Sequence, residues 1–151
     1  MDLKQDKILF DLFKVYLAQM DSAMKISKII CEHSKRNEIT GDDIICGLIY
    51  RLMTPMTQNE INECMKEAEE ILKGPSDEEE EEEDQEYDTI RETYIKSEIP
   101  RQIKSNNCNC EICLRMRTCL LNYKTFETKD QLSQRFKNSI EHTCNEYNIY
   151  I

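Results

Sequence analysis

Cys108, Cys110, Cys113 and Cys119 follow one another as C-x-C-x2-C-x5-C, and His142 and Cys144 come later in the chain. Thiolate sulfur and imidazole nitrogen are the donors that zinc collects in tetrahedral sites. If this part of the chain folds back as two antiparallel helices, Cys108, Cys110 or Cys113 at the start of the first lies near His142 and Cys144 at the end of the second. Such a set supplies four ligands and a staple for a unit too small to hold itself together by burial alone. The residues by themselves leave unliganded thiols and a redox role open as well. Cys119 and Cys144 would serve equally as core residues, and Cys31, Cys46 and Cys64 read as small buried hydrophobes.

No catalytic constellation accompanies these thiols. There is no glycine-rich phosphate loop and no nucleophile elbow. The only two histidines, His33 and His142, fall in different parts of the chain, and the acidic pair Asp42-Asp43 is explained by helix capping. A non-enzymatic protein is therefore expected. No charge-flanked apolar leader and no apolar run of about 20 residues is present, so the chain reads as intracellular and its eight cysteines as reduced thiols or metal ligands.

The elements that must position these residues are helical. Three glycines, three prolines and 33% charged residues leave few sites for the tight turns of a β fold. From Ile8 to Ser34 neither Gly nor Pro occurs, and apolar residues recur with helical spacing at Leu9, Leu12, Phe13, Tyr16, Leu17, Met20, Met24 and Ile30. A helix of roughly 28 residues spans about 40 Å, and this stripe is too wide and long for one ordinary helix to cover. Thr40 with Asp43, and Thr57 with Glu60, form capping boxes that open a second and a third helix. The third closes at Lys73-Gly74-Pro75.

The net charge of −10 sits in one place. The stretch 77–88 holds ten acidic residues and no base, which predicts an extended tether able to contact a basic surface, either a partner's or the chain's own. A mildly basic segment follows, with Arg91, Lys96, Arg101 and Lys104. Beyond it, Ile112, Met116, Cys119, Leu120 and Tyr123 line one helix face; Thr128 is expected to cap a further helix carrying Leu132, Phe136, Ile140 and Cys144.

The run HSKRNEITGDDI, His33 to Ile44, resembles the end of the long central helix, the second loop and the third helix of the histone fold. That family shows His-(Ala/Ser)-Lys-Arg, two residues, an apolar residue, Thr, two residues, Asp and an apolar residue. His33, Ser34, Lys35, Arg36, Ile39, Thr40, Asp43 and Ile44 match it. The resemblance covers about a third of the chain. It implies a clamp between Arg36 and Asp43. It also implies dimerisation across the long helix, through Leu9, Leu12, Phe13, Tyr16, Leu17, Met20, Met24 and Ile30. The partner would be a histone-fold protein or a second copy, with Lys28, Lys35 and Arg36 as nucleic-acid contacts and DNA reached through the partner. The family's short first helix and first loop have no counterpart in Met1 to Lys7.

The expectation is an all-α protein with three parts. Residues 1–74 form a partial histone-fold-like dimerisation unit with an added C-terminal helix. Residues 75–104 are a flexible acidic, then basic, linker, and residues 105–151 a cysteine-containing helical hairpin with Cys108, Cys110, Cys113, His142 and Cys144 as candidate zinc ligands. Its work would lie in DNA packaging, chromatin or transcription. The residues also accommodate a helical adaptor or virion assembly protein with a zinc-stabilised hairpin. Usage rich in Ile, Asn and Lys suggests an AT-rich genome, such as that of a large DNA virus or a protist, and with the resemblance it implies a place in the nucleus, a viral factory or a virion.

Overall fold

The computed structural model describes residues 3–74 and 98–151. Within them nearly all regular structure is helical: α1 (Leu3–His33), α2 (Gly41–Met53), α3 (Gln58–Lys73), α4 (Glu111–Asn122) and α5 (Gln131–Glu146), with a 3-10 turn at Tyr123–Thr125. Two short strands, β1 (Arg101–Gln102) and β2 (Ile149–Tyr150), pair in parallel, Arg101 opposite Ile149 and Gln102 opposite Tyr150. The class is all-α. The acidic run and the basic residues Arg91 and Lys96 lie outside the described residues.

α1 runs unbroken because nothing in its sequence interrupts the ladder, and it stops in a Schellman motif. The Arg36 N–H donates to the Cys31 carbonyl (3.2 Å) and the Lys35 N–H to that of Glu32 (3.0 Å). Lys35, at φ 62°, takes the left-handed position usually held by glycine. Both expected capping boxes form: Thr40 with Asp43 at the start of α2, Thr57 with Glu60 at the start of α3. At α5 the cap is Asp130, whose carboxylate accepts from the Ser133 N–H at 2.7 Å, rather than Thr128. Asp130 stands immediately before the first helical residue, where a side-chain oxygen reaches the free N–H groups, and Thr128 lies too far upstream.

α2 is the hub of the molecule. It crosses α1 at Gly47, where an added Cβ would run into the Ser27 side chain and the Ala23 carbonyl. Glycine therefore lets the two backbones touch. α3 lies along another side of α1, seating Cys64 and Ala68 against Ala18. Arg51 fastens the three: buried, it donates to Ser22 Oγ of α1 at 2.7 Å and to Glu60 Oε2 of α3 at 2.8 Å.

The C-terminal helices do not stand apart as a separate unit. α4 and α5 both pack on α2, and one core joins Ile26 and Ile30 of α1, Ile45, Ile49 and Tyr50 of α2, and Met116, Tyr123, Phe136 and Ile140 of the C-terminal part. The segment just before Ser105, expected as linker, is built into this core. Ile103 is buried, its N–H donates to the Tyr150 carbonyl at 2.8 Å, and Arg101 holds Asp42 with two 2.8 Å bonds. Strands of two residues are too short to show a period, so sequence alone carried no sign of them.

Candidate metal centre and the apolar face of the first helix

Three cysteines gather where α4 begins. Cys108 lies in the approach, Cys110 is the N-cap residue of α4, its sulfur accepting from the Cys113 N–H at 3.4 Å, and Cys113 sits one turn in, buried. The fourth donor comes from the far end of α1. His33, its last residue, places Nδ1 3.4 Å from the sulfur of Cys108, 3.2 Å from that of Cys110 and 3.5 Å from that of Cys113. All four donor atoms lie within 4.8 Å of one another, so the group could hold a metal ion. In a tetrahedron with bonds of about 2.3 Å to sulfur and about 2.0 Å to nitrogen, the nitrogen–sulfur edge is about 3.5 Å. The spacing in the fold is close to that edge.

Its electrostatics favour anionic sulfur at the helix start. The Cys113 N–H, with further contacts from Cys113, Cys108 and His33, brings the Cys110 thiol down to about 6 against the pull of burial. Burial pushes Cys113 up to about 11 in the metal-free chain. A cation in the centre would reverse that preference, since metal-bound thiols are deprotonated.

Of the expected ligands, Cys108, Cys110 and Cys113 come together, and His142 and Cys144 do not join them. Two positions apart on α5, their side chains face in opposite directions. Cys144 turns into the core, where burial raises its thiol, while the His142 side chain is 81% exposed, 3.8 Å from Glu146. Cys119 is likewise buried, beside Thr54. Sequence reasoning missed His33 because 75 residues separate it from Cys108. The usable signal was its place at the end of a long helix, as the one other imidazole in the chain.

The Arg36–Asp43 clamp is present as two 2.7 Å bonds. Burial opposes ionisation of Asp43, yet Arg36 and the Thr40 N–H outweigh it and hold the carboxyl below its ordinary range. Asp42 behaves alike toward Arg101 and the Lys104 N–H. Each of two adjacent carboxylates thus grips an arginine from a different segment. Of the nucleic-acid candidates, Lys28 and Lys35 are exposed, while Arg36 is engaged by Asp43.

The expected interface residues divide along α1. Ile30 is buried in the chain's own core, and Leu17 and Met20 are partly covered. Leu9, Leu12 and Phe13 remain about half exposed (54%, 50% and 55%), and Ile8, Val15, Tyr16 and Met24 are exposed too. The stripe Leu9–Leu12–Tyr16–Met20–Ala23–Ser27–Ile30 advances by three or four residues per step, so it is one face. α2 covers its C-terminal half; its N-terminal half is bare. The bare half runs into a hollow of about 620 Å³ between α2 and α5, lined by Tyr16, Met20, Ile44, Leu48, Phe136 and Ile140.

No family model, curated protein or solved structure matches the chain. Among the described residues, no helix is long and apolar enough to cross a membrane.

Proposed function

We propose that this chain is a non-enzymatic dimerisation protein of the histone-fold kind, acting in DNA packaging or transcription through its partner, and that the ion of its Cys/His group is zinc. The bare N-terminal half of the α1 stripe carries the proposal. Its exposed side chains Leu9, Leu12 and Tyr16, with Ile8, Phe13 and Val15 flanking them, amount to several hundred Å² at roughly half exposure, comparable to the ~800 Å² that each side gives to a standard interface. The same face is buried further along by α2, so its chemistry is that of a core surface. The Arg36–Asp43 clamp supports the histone-like reading, because it forms at the positions that the resemblance implies. With Arg36 engaged, Lys28 and Lys35 are the remaining candidates for phosphate, too few for tight binding alone. DNA contact therefore falls mainly to the partner, a histone-fold protein or a second copy. The metal group favours zinc because three sulfurs and one imidazole are a zinc donor set.

Light scattering on the purified full chain tests the dimer. The expected mass is twice that of one chain at tens of micromolar, falling to one on Leu12→Asp with Phe13→Asp. A chain that stays monomeric there, and also after co-expression with a histone-fold partner, sinks the proposal.

A further inference from the structure

We infer that the metal is structural and that it locks the C-terminal helices onto the end of α1, with Asn106 as the residue that positions the sulfurs. This inference rests on the zinc reading above and adds what the ion does. His33 closes α1, whereas the three cysteines lie at the approach to α4, 75 to 80 residues further on. An ion bound to all four ties two remote points of the chain together. Because the protein fills all four tetrahedral positions, none is left for a water or substrate, which is the mark of a structural zinc site.

The surroundings are built for sulfur that carries charge. The Cys110 N–H donates to the sulfur of Cys108 at 3.4 Å, and the Cys113 N–H to that of Cys110 at 3.4 Å. Asn106, a buried polar residue, donates through Nδ2 to the sulfur of Cys113 at 3.2 Å and to the Ile30 carbonyl at 3.3 Å. Its Oδ1 accepts from the Cys108 N–H at 3.3 Å and from Arg117 at 3.1 Å. One amide thus spans the last turn of α1, the cysteine loop and α4. Such outer partners orient metal ligands and tune their affinity. Three thiolates and Zn²⁺ leave a net charge of −1, and these N–H groups are placed to meet it.

The test uses the full chain purified with zinc. Metal analysis is expected to give one zinc per chain, and cobalt substitution to give the visible bands of a tetrahedral ion together with a thiolate-to-cobalt band. Stripping zinc with a chelator should speed amide exchange of residues 106–122 at least tenfold, and returning zinc should restore protection. His33→Ala should weaken zinc binding at least tenfold, Asn106→Ala about tenfold or more, and His142→Ala not at all. The chelator arm works on the unmutated chain, so a variant that fails to fold does not blunt the test. Stoichiometric zinc whose removal leaves exchange unchanged would overturn the locking role and spare the zinc reading. A chain that takes up no zinc would overturn both.

Discussion

Asp43 shows how much one side chain carries. It caps α2, accepts the Thr40 N–H at 2.9 Å and receives both arms of Arg36, all while 2% exposed. Asp43→Asn keeps the shape and removes the charge; it should cost about 2 kcal/mol in a denaturant titration, the scale of hydrogen bonds to a charged group. The pH dependence follows from the lowered values of Asp42 and Asp43. In the unfolded chain each returns to about 3.8, so the folded state gains its full benefit above that pH. The benefit is lost as pH falls from there through the lower folded values. Stability of the zinc-free chain should therefore decline below about pH 4, with a shallower slope in the Asp43→Asn variant; equal slopes would mean that this carboxylate is not the group titrating.

What the sequence showed at this scale was local. Thr40 with Asp43 and Thr57 with Glu60 act over three residues, and the three cysteines over five, so spacing displays them. His33 acts on sulfurs 75 to 80 residues away, Arg51 on Ser22 and Asn106 on the Ile30 carbonyl as well as on its near neighbours, and no spacing rule reaches that far. Asp42 was legible as a helix-start acid and not as the holder of Arg101, 59 residues on.

At the scale of elements, α2, α3 and the end of α1 were readable from apolar periodicity and caps, whereas α1 begins at Leu3, five residues before the expected Ile8, because the polar first turns carry no apolar period. How α1 and α2 meet was not readable, although it turns on one residue. Gly47→Ala gives α2 a better helix former, worth up to about 1 kcal/mol in isolation. It nonetheless sets a methyl group against the backbone of α1 at Ala23, which cannot step aside. A net loss of about 1–3 kcal/mol is expected from such overpacking, read as a lower urea midpoint with unchanged slope. A stabilised variant would show that the crossing has room to spare. α4 and α5 were expected as an antiparallel hairpin in need of a staple or a dock. Rather than pairing with each other, both turn their apolar faces to α2, because each helix alone presents one narrow stripe and α2 offers a broad apolar surface between them.

Over the whole molecule, the division into a helical unit and a separate tail gives way to a shared core. Ile103, the β1–β2 pair and the Arg101–Asp42 contact attach the tail at a second point, on the hollow that His33 and Cys108 also line. Arg101→Ala should cost about 1–2 kcal/mol and speed amide exchange at Ile103, whose partner is the Tyr150 carbonyl, while leaving zinc content unchanged. If zinc content falls as well, the two attachments are coupled.

The glycine crossing also makes α1 a lever. Its fulcrum, at Ala23 to Ser27, stands about 12 Å from His33 and about 24 Å from Leu9 along the axis, at 1.5 Å per residue. A sideways push on the bare end, in the direction that α3 at Ala18 leaves open, reaches the imidazole at roughly half its amplitude and in the opposite direction. An ion that tolerates only tenths of an ångström at its nitrogen would therefore stiffen the far arm and hold it at a fixed angle before any partner arrives.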